Sequence, residues 1–145
     1  MKALCFIVGA VLVASVGFAA DLSAVAGHYH YEQYVVSLPN GRHIGLQEMG
    51  ATDAYLDIAS NGTITLRMNM GTGRTVTETA NVSKLEFAHG KGFWIAQWPD
   101  MSYSVRADIT LVGGVLTSDT RFEDRSDPDR FGSVEHAVLE KVGGP

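Results

Sequence analysis

Between residues 85 and 122 apolar and polar positions alternate through three hairpin turns that agree on one inward face. A two-residue turn at Gly90-Lys91, with glycine first as type II′ geometry requires, sets Phe87 opposite Trp94 and Leu85 opposite Ala96. Symmetric closure of Pro99-Asp100-Met101-Ser102 then sets Trp98 opposite Tyr103, Ala96 opposite Val105 and Trp94 opposite Ala107. Gly113-Gly114, another two-residue turn signal, pairs Leu111 with Leu116, Ile109 with Ser118, Ala107 with Thr120 and Val105 with Phe122. This face is apolar with a few hydroxyls. Behind it the Tyr103 strand reads Ser104, Arg106, Asp108, Thr110, the period-2 contrast of a half-buried antiparallel strand.

The same logic extends toward the N-terminus. Residues 27–36 are rich in β-formers and read as a first strand, with Tyr29, Tyr31 and Val35 on one side and His28, His30, Glu32, Tyr34 and Val36 on the other. A turn at Pro39-Asn40-Gly41-Arg42 precedes a weaker strand at 43–48. For the pair 54–59 and 63–70, a two-residue Asn61-Gly62 turn would oppose Ile58 to Thr65. A three-residue loop Ser60-Asn61-Gly62 with Gly62 in a G1 bulge instead pairs Ile58 with Ile64 and Leu56 with Leu66, and is preferred. After Gly71-Thr72-Gly73 two registers are open. The simpler one turns Thr75, Thr77, Thr79, Asn81 and Ser83 inward, leaves Glu78, Lys84 and Glu86 in water, and is the one we expect. The other turns Val76, Glu78 and Ala80 inward and needs a bulge near Ser83. Residues 124–132 form a charged loop, and 133–142, where Val134, Val138 and Val142 fit period 2 or roughly 3.6, read as a closing strand that pairs with the first in preference to a helix. The expected fold class is all-β, an antiparallel up-and-down barrel of about eight to nine strands, because closure removes the unpaired edges of an open meander.

Residues 1–19 have the pattern of a signal peptide: Lys2, an apolar run over 3–18, and Gly17 and Ala19 placed for cleavage after Ala19. The run is shorter than the ~20 apolar residues of a spanning helix, so no stable membrane insertion is expected. Residues 20–145 then form a single secreted or periplasmic domain. The one cysteine, Cys5, falls in the leader, too early to be the acylated residue of a lipoprotein, so the domain must be held by its core alone. The chain has 11 Lys and Arg against 16 Asp and Glu, and loss of Lys2 makes the balance more acidic. That disfavours nucleic acid as a partner.

Gly27-x-Tyr29, the Leu56-x-Ile58-x-x-Asn61-Gly62-Thr63 hairpin, Gly113-Gly114-x-Leu116 and the closing Leu139-Glu140-Lys141-Val142 together resemble a bacterial lipocalin-like (calycin) β-barrel, with Tyr29 where that family usually has tryptophan. The resemblance spans most of residues 20–145. It implies a pocket for a small, mostly apolar molecule and not a catalytic mechanism; no cofactor is expected. With about eight strands, a barrel interior can hold one small ligand.

The side chains expected to line such a cavity are Leu66, Met68, Met70, Phe87, Trp94, Trp98, Tyr103, Val105, Thr120 and Phe122. Large, adaptable apolar groups facing hydroxyls suit an amphipathic ligand as well as a plain core. His28 and His30 share a strand face with Glu32 and would form a metal site only if His43 or His136 joined them. Asp124, Asp127 and Asp129 miss EF-hand spacing, and a solvated turn at Asp127-Pro128 is the better reading. Glu78 is the only carboxylate with a debatable inward register, which leaves acid-base catalysis without a second member. No G-x-S-x-G is present. Three functions follow: a carrier of a small lipophilic molecule, a filled barrel whose surface inhibits or neutralises a partner, or a barrel cyclase or isomerase. A cavity separates the first and third from the second. If the leader reading holds, the intact mass of exported protein lacks residues 1–19, and retention of Lys2 would overturn it.

Overall fold

Closure of the chain on itself depends on the first strand, which serves two neighbours. The computed structural model describes residues 19–143. Among them are nine strands and no helix: β1 (Gly27–Ser37), β2 (His43–Gly45), β3 (Ala51–Ile58), β4 (Thr63–Met70), β5 (Thr75–Ala88), β6 (Lys91–Gln97), β7 (Val105–Val112), β8 (Val115–Arg121) and β9 (Val134–Gly143). Neighbours pair antiparallel in the order β2-β1-β3-β4-β5-β6-β7-β8-β9, and β1 also pairs with β9. β1 meets β3 over Gly27 to His30, meets β9 from His28 to Ser37, and at Val35, Val36 and Ser37 takes β2 as a short extra strand. The result is a closed antiparallel barrel of eight strands with β2 added at one rim.

The hairpin registers agree with the sequence at three turns. Ile58 pairs with Ile64 and Leu56 with Leu66 around a loop in which Gly62 has φ +97°, the left-handed conformation of the expected bulge. Ala96 pairs with Val105, Trp94 with Ala107, Leu111 with Leu116 and Ala107 with Thr120. The closing segment is a strand against β1.

Three expectations need correction. The β5–β6 turn is His89-Gly90, not Gly90-Lys91. Both residues have positive φ (55° and 77°), as in a type I′ turn, which histidine tolerates better than most side chains. Leu85 therefore faces Trp94 and Phe87 faces Gly92, two residues from the expected partners, with the inward set unchanged. Second, β5 takes the register with the bulge: the pairing slips between Val82 and Lys84, leaving Ser83 extra. Thr75, Thr77 and Thr79 are exposed, while Val76, Glu78, Ala80 and Val82 point inward. Burying Ala80 and Val82, at 0 and 1 % exposure, outweighs the cost of one bulge. Third, β1 slips between Tyr31 and Gln33, so that Tyr34 and Val36, not Val35, continue the inward row begun by Tyr29 and Tyr31.

One end of the barrel is sealed by residues 19–26. Leu22 and Val25 are fully buried in the core cluster with Tyr29, Ile58, Ile64 and Val82. The Ala20 amide donates to the Val82 carbonyl (3.0 Å) and the Leu22 amide to that of Ser60 (2.9 Å). The Tyr29 hydroxyl donates to the Val25 carbonyl (2.7 Å). A side chain on Gly62 would press on Ala20, so the glycine also makes room for this plug.

Leu22→Ala should lower the unfolding free energy by about 2–5 kcal/mol, the range for a buried leucine, while Val112→Ala, at a 71 % exposed position, should stay within about 0.5 kcal/mol. Urea titration followed by circular dichroism measures both. A mild effect of Leu22→Ala would mean the plug is not part of the cooperative fold.

Candidate functional site

The interior is not filled. A cavity of about 360 Å³ opens at the end opposite the plug, among the connections at 38–50, 98–104 and 122–133. Space remains because Ala107 and Ala137 occupy inward positions in its wall where an eight-stranded barrel could be packed with larger residues. Trp94, 5 % exposed, lies deep between Leu85 of β5 and Ala107 of β7, and Trp98 stands nearer the mouth.

Of the residues expected in the wall, Leu66, Met68, Trp94, Trp98, Val105, Thr120 and Phe122 line this cavity. Met70, Phe87 and Tyr103 do not. Phe87 packs against the core at the plugged end, because the His89-Gly90 turn places it opposite Gly92. Met70 lies at the end of β4, in contact range of Gly50. Tyr103 precedes β7 in the mouth connection, and its hydroxyl donates to Asp127 Oδ2 (2.6 Å).

A polar corner was not foreseen. Thr120 of β8 pairs with Glu135 of β9, and both line the cavity. The Tyr34 hydroxyl donates to Glu135 Oε2 (2.7 Å), and the Tyr31 ring meets that of Tyr34 edge-on at 5.9 Å. Burial raises the Glu135 carboxyl above the usual carboxylate range, with the Tyr34 hydrogen bond and Arg130 pulling the other way. Burial, reinforced by Glu135, also pushes the Tyr31 and Tyr34 hydroxyls up. Glu78, half-buried, lines the same cavity from β5 and does not stand on the outer face, so the cavity wall carries a second glutamate. Ser133 is 3 % exposed and its Oγ has no hydrogen-bond partner among the described residues.

The sequence carried a weak sign of this corner. Glu135, Ala137 and Leu139 alternate with Val134, His136 and Val138, and either set could face in. The hairpin parity that settles the preceding strands is lost across residues 122–133, and the valines proved to be the outer set.

At the mouth, Arg130 donates from Nη1 to Asp127 Oδ2 (2.9 Å) and from Nη2 to Asp100, tying the 122–133 loop to the 98–104 connection. Asp127 is held below the usual carboxylate range by the Tyr103 and Arg130 hydrogen bonds, and Tyr103 is pushed up to about 12 by burial and then by Asp127. The aspartates of this loop thus serve its own geometry.

On the outer face His28 and His30 flank the Tyr55 ring, with centroids 5.2 and 5.0 Å away. Each is engaged by carboxylates: His28 Nδ1 with Asp57, His30 Nδ1 with Glu32 (2.8 Å) and His30 Nε2 with Asp53 (2.5 Å). His136 pairs with Asp119 and His43 with Ser37, so neither joins them. Among the described residues no cluster of three or more His, Cys, Asp or Glu is arranged to hold a metal ion.

No family profile and no curated protein matches the chain. Among solved structures, a redesigned beta barrel is similar, at 13 % identity and a TM-score of 0.45, over 84 % of this chain and 96 % of that one.

His30 is a titration marker. With both ring nitrogens on carboxylates its imidazolium is favoured, and its pKa is raised, first by Glu32 and then by Asp53. Its contribution to stability is complete below the unfolded value of about 6.5 and lost as pH rises through the higher folded value. NMR titration should place His30 above free histidine, and His30→Gln should remove that part of the pH dependence. A midpoint at or below 6.5 would refute the pairing.

Proposed function

We propose that this protein is an exported, lipocalin-like carrier that binds or shelters a small, mostly apolar molecule in the barrel. The observation that carries the reading is the cavity of about 360 Å³, open at one end and lined by Trp94, Trp98, Met68 and Phe122. That volume lies in the range of small-molecule sites, and aromatic and thioether walls suit an adaptable apolar ligand. The cavity weighs against the filled barrel with an interacting surface. A barrel isomerase is the second reading, favoured by Glu78 and Glu135 lining one cavity, which supplies the two carboxylates that acid-base chemistry needs. Turnover of a co-purified ligand that stops in Glu135→Gln would select it over the carrier.

Native mass spectrometry of protein purified from its own host should reveal a bound small molecule. An apolar ligand should change tryptophan emission. Trp98→Ala should weaken binding by about 1–3 kcal/mol, given the area of an aromatic anchor, and Arg106→Ala on the outer face should leave it unchanged. Ala137→Leu, which fills the cavity from β9, should abolish binding in a folded protein. No co-purified molecule, together with emission indifferent to fatty acids, retinoids, isoprenoids and haem, would favour the surface-interaction reading.

A further inference from the structure

We infer that the ligand carries a cationic amine on its apolar body, and that the amine is received by Glu135, Ser133, Thr120 and Tyr34 in the polar corner of the cavity. The inference rests on the carrier reading and adds the head group to it.

Three observations converge. Ser133 Oγ is buried in the cavity wall with no partner among the described residues, and an orphaned buried hydroxyl loses free energy unless something in the cavity bonds to it. Two residues on, Glu135 accepts the Tyr34 hydroxyl at Oε2, while Oε1 accepts no hydrogen bond among the described residues. Ser133 and Glu135 share one face of the chain, and Thr120 pairs with Glu135. An acceptor oxygen and two hydroxyls thus share one corner of the cavity wall, the Ser133 hydroxyl lying just beneath its surface, which suits a group with several N–H donors. A carboxylate buried beside apolar walls is stabilised far more by a cation than by a neutral donor.

The charge of the lining selects the sign. Glu78, Glu135, Asp100 and Asp129 line the cavity against one cation, Arg130. Arg130 is already committed to Asp127 and Asp100, so it is not free to receive a carboxylate head group such as that of a fatty acid. The aromatic rings of Tyr31, Trp94 and Trp98 add negative faces that favour a cation and repel an anion. Room for an amine with a fused aromatic body fits the volume, which corresponds to about a dozen waters at ~30 Å³ each.

Binding should depend on pH with a definite sign. The groups around Glu135 are Tyr31 and Tyr34 on β1, Glu78 on β5 and Arg130 in the mouth loop, and burial raises the free carboxyl. Amine affinity therefore increases as pH rises through the raised Glu135 value, and declines again when the amine deprotonates at about 10, near the lysine value. Binding below the Glu135 midpoint releases a proton.

The experiment is calorimetric titration of the full chain as purified, stripped of co-purified molecules, with 1-naphthylmethylamine, 1-naphthylmethanol and 1-naphthoate at pH 7.5. The amine should bind at least tenfold tighter than the alcohol, and the acid weakest. Glu135→Gln should bring amine and alcohol within about threefold. Ser133→Ala should weaken the amine while leaving plain naphthalene unchanged, which shows the cavity intact. Equal binding of all three heads, or tightest binding of the acid, overturns the amine inference and leaves the carrier reading standing. Failure of every naphthyl probe, including naphthalene, in protein folded by circular dichroism overturns both. If Glu135→Gln does not fold, the wild-type ranking and its pH profile decide.

Discussion

Pairing of β1 with both β3 and β9 is the constraint on which the rest of the molecule depends. Without it the remaining strands are a meander with two open edges, and an inward face that no other layer covers. β1 manages this by dividing its length: its first residues bond to β3, nearly its whole length to β9, and its end to β2 where β3 has turned away. The pairing is of high sequence separation, since β1 and β9 lie at opposite ends of the chain. The plug reinforces the same seam, because the Tyr29 hydroxyl on β1 holds the Val25 carbonyl and thereby fixes the approach to the strand.

Two bulges give this closed frame its chemistry. In β1, strict alternation from Tyr29 and Tyr31 would turn Gln33 and Val35 inward and put Tyr34 in water. The slip at Glu32 brings Tyr34 inside, within reach of Glu135. In β5, Leu85 and Phe87 are turned inward by the hairpin to β6, and strict alternation back from them would bury Thr79 and Thr77. The slip at Ser83 buries Ala80 and Glu78 instead. Each bulge exchanges one ladder position for a change of face, and in both cases the residue brought inside is polar and lines the cavity.

What could be read in the sequence follows from where parity is conserved. A short turn links the faces of two strands rigidly, so the inward rows of β3, β4, β6, β7 and β8 follow from Gly62, Pro99 to Ser102 and Gly113-Gly114. Even the misplaced β5–β6 turn preserved the faces, because it moved the register by two. The cavity wall on those strands was therefore legible, with the exceptions set by the ends of the barrel: Phe87 at the plugged end, and Met70 and Tyr103 at the rim. Parity is lost at a bulge, whose single residue leaves no distinctive local mark, and across a long loop. Ser83, Glu32 and residues 122–133 are such places, and Glu78, Tyr34 and Glu135 lie beyond them. The plug was illegible for another reason: Leu22 and Val25 show no period, and only the finished barrel offers the end they fill.

A buried acid in an apolar cavity raises the question of why the barrel retains it. Glu135 contributes little to the stability of the fold by itself: its carboxyl is desolvated, its proton affinity raised, and one tyrosine hydroxyl is its neutral partner. A hydrophobic residue at this position, between Thr120 and Val36, would serve the core better. The same holds for Ser133, whose hydroxyl bonds to nothing among the described residues where alanine would fit. The inward Ala107 and Ala137 and an unsatisfied hydroxyl reduce the stability of the barrel for itself, and all of them enlarge or polarise one cavity. Local departures from good packing that converge on a single space are what a binding site requires of a fold, and scattered imperfection would not concentrate them there.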